Sequence, residues 1–193
     1  MFVNVLRTTH NGWNLVASSF RLLLPRCLGL KTGSGVRAGR GIQWPMGNLR
    51  NIQLGKNVSL GKNGWFYLPL HNRKARIQIG DGTAVGNDFV ITANDSIQIG
   101  SDCLLSYRVT VMDHSHVTGW NVKPVSSGLT PGKAIEIGDR CFIGCNSVIM
   151  PGVRLGANCV VGANSVVTKS FEEGSVVAGA PARLLRSIAS PKI

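Results

Sequence analysis

Apolar residues recur every six positions through the second half of the chain. Ile137, Ile143, Ile149, Leu155, Val161 and Val167 form an unbroken ladder, and Gly138, Gly144, Gly156 and Gly162 each follow one of its rungs. Four residues after successive rungs stand Cys141, Ser147, Val153, Cys159 and Ser165, all small or apolar. An amphipathic helix would space its apolar residues three and four apart, and this pattern does not. A period of six suits a three-sided coil with one short strand per side, so three hexapeptides complete one turn. Residue n then lies against residue n + 18: Ile137 against Leu155, Ile143 against Val161, Ile149 against Val167, and Cys141 against Cys159. Like meets like at each pair, which predicts a continuous core in which every coil needs its neighbours. Earlier copies of the ladder start at Leu54, Leu60, Ile79, Val85, Ile99, Leu105 and Val111.

Two stretches break the period. Residues 13–30 place Trp13, Val16, Ala17, Phe20, Leu23 and Leu24 on one helical face, with Arg21 and Arg26 nearby and Pro25 set to end or kink the helix. Such a helix either covers the open edge of the first coil or lies on an anionic membrane. Residues 117–134 lack the ladder and are rich in Gly, Pro and Ser. Ile99 and Ile137 are 38 residues apart, the length of two coils plus two. An insertion that begins just after a pair of histidines reads as an excursion loop over an active site. The expected organisation is a basic N-terminal cap with a possible amphipathic helix over 1–49, a β-helix domain over 50–186, and a tail over 187–193.

Charge sharpens the reading of the N-terminal part. The net charge is +12, and residues 1–80 hold twelve Lys or Arg with no Asp or Glu. Residues 81–193 hold nine of each sign, so the whole excess lies upstream. Such a field attracts anions: a lipid headgroup surface, a diphosphate-linked substrate or an acidic glycan. Nucleic acid is not expected, because no recognisable nucleic-acid module accompanies the charge. Five cysteines in odd number, with no C-x-x-C pair, read as reduced packing residues. No apolar run reaches the ~20 residues a bilayer span needs, and no signal peptide is evident. A cytoplasmic protein, peripheral on the inner face of the membrane if the basic part binds lipid, is the expectation.

The chemistry concentrates at His114 and His116, which close the last regular coil before the loop. A histidine supplies a base near neutral pH. Asp113 is adjacent, although neighbours on a strand point to opposite faces. The remaining histidines, His10 and His71, fall outside the coil positions, and two histidines are fewer than the three or four protein ligands of a zinc site, so no metal is expected.

The run Val109-Thr110-Val111-Met112-Asp113-His114-Ser115-His116, a loop, and then Ile135-Glu136-Ile137-Gly138 resembles the hexapeptide-repeat acyltransferases, in particular the sugar and polysaccharide O-acetyltransferase branch. The resemblance covers about residues 50–186. It implies a left-handed parallel β-helix, a homotrimer with active sites between subunits, acetyl-CoA as the acetyl donor and a carbohydrate acceptor. It implies His114 as the catalytic base, with His116, Asn87 and Asp113 as candidates for a second catalytic or acceptor-binding role. Phe142, Gly144 and Cys145 match the segment along which the family lays the pantetheine arm, with the Cys145 N–H as a donor to the developing oxyanion. The family often has Trp and Ser where Phe142 and Cys145 stand. Gly162, Ala163, Thr168, Lys169, Arg183 and Arg186 correspond to contacts with the rest of the cofactor, and Gly179-Ala180-Pro181-Ala182-Arg183 resembles the family's closing motif. N-acetylation of an amino sugar, serine O-acetylation and a non-catalytic or metal-binding β-helix are the competing expectations on the same fold.

Overall fold

The computed structural model describes residues 12–188, with side chains from Ala17 onward. Three sheets wind as the sides of a triangular coil. The first holds Lys31–Thr32, Ile52–Leu54, Arg76–Ile79, Ser96–Ile99, Ile135–Ile137 and Arg154–Leu155. The second holds Arg37–Ala38, Ser59–Leu60, Ala84–Val85, Leu104–Leu105, Phe142–Ile143, Val160–Val161 and Ser175–Gly179, and ends on Ala182–Ser187. The third holds Trp65–Tyr67, Val90–Thr92, Thr110–Met112, Val148–Ile149 and Val166–Val167. Every pairing between these strands is parallel except the last hairpin, where Ser175–Gly179 and Ala182–Ser187 run antiparallel and close the solenoid.

The stacking read from the ladder is what the strands do. Ile137 pairs with Leu155, Ile143 with Val161 and Ile149 with Val167. All six rungs are buried, as are Cys141, Ser147, Val153, Cys159 and Ser165 four residues on. Each corner of a regular coil turns through one residue in the left-handed region, Arg140 (φ 56), Asn146 (φ 58) and Gly152 (φ 80) in one coil. Asn reaches that region more readily than most side chains. The corner residues also brace one another between coils: Arg140 Nε donates to Asn158 Oδ1 at 2.9 Å, and Asn146 Nδ2 to Asn164 Oδ1 at 3.0 Å. At Gly138 the constraint is contact, since a Cβ there would stand 2.6 Å from the Ala157 nitrogen.

Two sequence expectations change. The 38 residues from Ile99 to Ile137 are a single coil, because Ile99 pairs directly with Ile137. The excess sits in one excursion at the corner after the third sheet. The solenoid also starts earlier than residue 50. Thr32 pairs with Leu54, Ala38 with Leu60, and Gln43 forms a bridge with Trp65. Thr32, Ala38 and Trp44 keep the six-residue spacing, but two of these rungs are polar or small and do not register as apolar. Trp44 fills this end of the core, stacked on Phe66 at 5.1 Å, and Phe66 meets Phe89 edge-on at 5.0 Å.

The helix Gly12–Cys27 covers that end. Leu22 is fully buried, the Ala38 N–H donates to Ser18 Oγ at 2.7 Å, and the Arg21 guanidinium donates to the Ala38 carbonyl at 3.1 Å. An exposed strand edge is thereby satisfied in both directions. Of the apolar stripe read from the sequence, Phe20, Leu23 and Leu24 point to solvent, 72%, 58% and 59% exposed. The side chains of Trp13 and Val16, residues 1–11 of the cap and residues 189–193 of the tail lie outside the described residues.

Candidate active site

Thr110–Met112 is the last regular strand before the excursion, and Asp113 and His114 turn the corner between the third and first sheets. Because the strand ends at Met112, strand alternation no longer separates the two side chains, and both are buried. His114 Nδ1 lies 2.8 Å from Asp113 Oδ1. The Asp113 carboxylate is wholly shielded from solvent and also accepts the Asn94 N–H on Oδ1 at 2.7 Å and the Asp95 N–H on Oδ2 at 2.8 Å. A buried charge held by three donors is a fixed acceptor. It favours the imidazole tautomer with the proton on Nδ1, which leaves Nε2 as the free basic atom. The Tyr67 ring flanks His114 with centroids 6.3 Å apart.

The excursion is tied down at its base, next to His114. Thr130 N–H donates to the Ser115 carbonyl at 2.7 Å, the Ser115 N–H donates to Thr130 Oγ1 at 3.0 Å, and Lys133 N–H donates to the Asp113 carbonyl at 2.7 Å. Asn94 Nδ2 donates to the Thr130 carbonyl at 2.9 Å, joining the loop to the preceding coil. His116 is exposed, and its backbone bridges Leu129. Asn94, Asp95, Thr130 and Tyr67 were not legible as site residues. Placing Asn94 and Asp95 beside Asp113 requires knowing that the coil from Ile79 to Ile99 is 20 residues long and where its two extra residues fall.

The cofactor candidates fall elsewhere on the coil. Gly144, Cys145, Gly162 and Ala163 line the corner between the second and third sheets, and Asn87 stands on the same corner nearer the N-terminal end. Asn87 Oδ1 accepts the Lys62 N–H at 2.8 Å, which makes it a brace between coils. Gly144 is required by stacking as well, since a Cβ there would meet the Ala163 nitrogen at 2.5 Å. Phe142 projects from the outer face of the second sheet, and Arg183 and Arg186 lie exposed on the closing hairpin. Thr168 and Lys169 share the His114 corner, two coils further on, with Lys169 Nζ 5.5 Å from the Phe171 ring centroid. Apart from Phe142, Arg183 and Arg186, the residues thus fall at two corners, separated by the width of the third sheet. Five residues from Cys145 to Met150 at ~3.3 Å each put those corners about 16 Å apart. One chain does not bring His114 to Cys145.

At the remaining corner three cysteines stack. Cys103, Cys141 and Cys159 Sγ lie 3.1, 3.2 and 3.1 Å from the carbonyls of Gly138, Gly156 and Glu172 in the next turn. Hydrogen bonds with Cys103 and Cys159, together with burial, push the Cys141 thiol above its ordinary value. Among the described residues, no group of three or more His, Cys, Asp or Glu is placed to hold a metal ion.

A parallel coil of hexapeptides defines a class, and comparison with known proteins agrees with it. Residues 134–169 match the model of the hexapeptide repeat of succinyl-transferase. Nodulation protein L of Rhizobium meliloti is 32% identical over 125 residues, covering 55% of this chain and 68% of that protein. The chain belongs to the hexapeptide-repeat acyltransferase family. The putative lipopolysaccharide biosynthesis O-acetyl transferase WbbJ of Escherichia coli K12 is 38% identical over 108 residues, 52% of this chain and 55% of WbbJ. The chain therefore spans about half the length of that relative. Among solved structures, the hexapeptide-repeat containing acetyltransferase of Vibrio cholerae in complex with acetyl coenzyme A superposes with a TM-score of 0.61 at 27% identity, covering 89% of this chain and 78% of that one.

Proposed function

We propose that the protein is an acetyl-CoA-dependent O-acetyltransferase that acts on a sugar hydroxyl of a surface-polysaccharide or lipopolysaccharide precursor. The observation that carries this reading is His114, buried at a coil corner with Nδ1 held by a shielded carboxylate and Nε2 left to accept a proton. The relatives support it by their descriptions: WbbJ by its assignment to lipopolysaccharide biosynthesis, the Vibrio cholerae protein by its complex with acetyl coenzyme A.

In the proposed step His114 Nε2 takes the acceptor's hydroxyl proton as that oxygen attacks the thioester carbonyl. The Cys145 N–H stabilises the tetrahedral oxyanion. Its collapse breaks the C–S bond, and the proton passes from His114 to the departing thiolate to give CoA and the acetyl ester. Asp113 holds the ring and balances the imidazolium charge. The ~16 Å between the two corners of one chain means that the corner bearing Cys145 must come from a neighbouring copy, which supports a homotrimer with composite sites. Phe142, Gly144, Gly162, Ala163, Thr168, Lys169, Arg183 and Arg186 form the proposed cofactor track, its cations meeting the CoA phosphates. The work takes place on the cytoplasmic side, where the basic N-terminal part favours an anionic, membrane-linked acceptor.

The test is CoA release from acetyl-CoA against a panel of sugars, amino sugars, serine and polyprenyl-linked glycans, with His114→Ala beside the natural protein. Turnover with a sugar that falls about 10²–10⁴-fold in the variant supports the proposal. Turnover only with amines moves the reading to N-acetylation, and turnover unchanged in His114→Ala removes His114 as the base.

A further inference from the structure

The N-terminal helix is fastened to the solenoid by one face only. Ser18, Arg21 and Leu22 hold it to the strand at Ala38, while Phe20, Leu23, Leu24 and Leu28 face outward. Large apolar side chains in a row on a surface mark a contact site when they are grouped, not when they are scattered. Beside them an open groove of about 290 Å³ runs between helix and first coil, with Leu24, Ile42, Trp44 and Met46 along it and Arg21 and Arg40 among its lining residues. Arg26, Lys31 and Arg50 are also exposed at this end. The sequence holds no acid before Asp81, and among the described residues the Arg–carboxylate ion pair, Glu136–Arg154, lies elsewhere. Nothing acidic within this end neutralises these cations.

We infer that this end of the solenoid docks on an anionic lipid bilayer, with Phe20, Leu23, Leu24 and Leu28 entering the interfacial layer and the surrounding Arg and Lys meeting lipid phosphates. An outward apolar strip ringed by cations and free of acids matches such a surface in both its chemical layers, acyl chains below and phosphates above. A second copy of this chain is a poorer occupant, because it would bring the same uncompensated cations together. The inference deepens the membrane-side placement proposed above and does not depend on acetyl transfer. It also orients the enzyme. His114 ends the fourth coil, three strand spacings of ~4.8 Å or about 14 Å beyond the first, so docking holds the site above the headgroups, at the level of a lipid-linked glycan rather than of its lipid.

The experiment is co-sedimentation of the full chain with vesicles of phosphatidylcholine alone or mixed with phosphatidylglycerol, at low and high salt and without acetyl-CoA. The expected result is binding to the anionic vesicles only, weakened by salt. Phe20→Ser with Leu23→Ser, and separately Arg26→Glu with Lys31→Glu, should each lower the bound fraction at least about tenfold while circular dichroism and turnover of a soluble acceptor stay unchanged. No binding of the natural protein, binding indifferent to lipid charge, or binding untouched by both double variants overturns the inference. So does loss of the oligomer on light scattering in Phe20→Ser/Leu23→Ser, which assigns the strip to self-association. Vesicle binding without turnover of any acceptor leaves the docking intact and sinks the proposed activity instead.

Discussion

Replacing Asp113 by asparagine tests whether the carboxylate directs His114 or only ties two coils together. The carboxylate accepts three hydrogen bonds, from His114 Nδ1 and the Asn94 N–H on one oxygen and from the Asp95 N–H on the other. An amide of the same shape has one oxygen and one NH₂, so one side must face a donor. With the NH₂ toward Asp95, a part-buried N–H loses its acceptor, and the cost is at most roughly 1–3 kcal/mol. With the NH₂ toward His114, Nδ1 must become the acceptor and the ring proton moves to Nε2, the atom proposed to take the acceptor's proton. Either orientation also removes the negative charge that steadies the imidazolium. We expect turnover of Asp113→Asn to fall about 10²–10⁴-fold, close to the loss in His114→Ala, with KM for acetyl-CoA changed less than about twofold. Initial rates of CoA release, read below the melting temperature of the variant, give both parameters. A variant that melts earlier yet turns over within about twofold of the natural protein would refute the reasoning and leave Asp113 as a brace for the Asn94–Asp95 turn.

Three further outcomes follow from the coil itself. Ile143→Ala, which empties a fully buried rung between Leu105 and Val161, should cost about 2–5 kcal/mol in urea unfolding. Gly144→Ala sets a Cβ 2.5 Å from the Ala163 nitrogen, and differential scanning calorimetry should show a destabilisation of about 1–3 kcal/mol. Thiol labelling of the native protein should modify exposed Cys27 and half-buried Cys145, while buried Cys103, Cys141 and Cys159 react only after unfolding, as peptide mapping will show.

The ladder made most of the fold legible, because a buried rung has to be apolar and its neighbours above and below have to match it. It failed where a rung escapes that demand. Thr32 and Ala38 occupy the first coil, which one face of the helix covers, and a small residue suffices there, so the coil was read as part of a cap. The helix itself was legible as amphipathic, but hydropathy left open whether its apolar stripe covers the coil or faces outward, as Phe20, Leu23 and Leu24 do. Ser18 and Arg21 do the docking through the Ala38 backbone, and such hydrogen bonds leave no trace in hydropathy. At the site, His114 stood out through the strand that precedes it. Asp113 stayed a candidate, but strand alternation argued against it as the partner of His114, and that rule stops applying at Met112, a boundary one residue too fine for the pattern to resolve. The separation of the cofactor candidates from His114 follows from which corner each occupies, and the period of six gives that once the corners are numbered.

Where the coils depart from regular length, they do so at one corner. Leu54 to Ile79 is 25 residues, Ile79 to Ile99 is 20, and Ile99 to Ile137 is 38, yet within each the steps from first to second and from second to third sheet remain six. All the added chain therefore leaves between the third and first sheets, on four successive coils once the 22 residues from Thr32 to Leu54 are included, at the corner that carries His114. The excursions are joined to one another: Asn72 Nδ2 donates to the Asn94 carbonyl, and Asn94 Nδ2 in turn to the Thr130 carbonyl. The other two corners are fixed by contacts such as those at Gly138 and Gly144, where backbone passes too close for a side chain. A solenoid tolerates insertions that do not disturb the rungs, and a loop-built wall at one edge is where such a fold can vary what it recognises without altering what holds it together. On that ground we propose that acceptor choice belongs to the Asn72, Asn94 and Thr130 side of the molecule. The tightly stacked corner at Cys145 has no room to vary, which suits an invariant donor such as the thioester end of CoA.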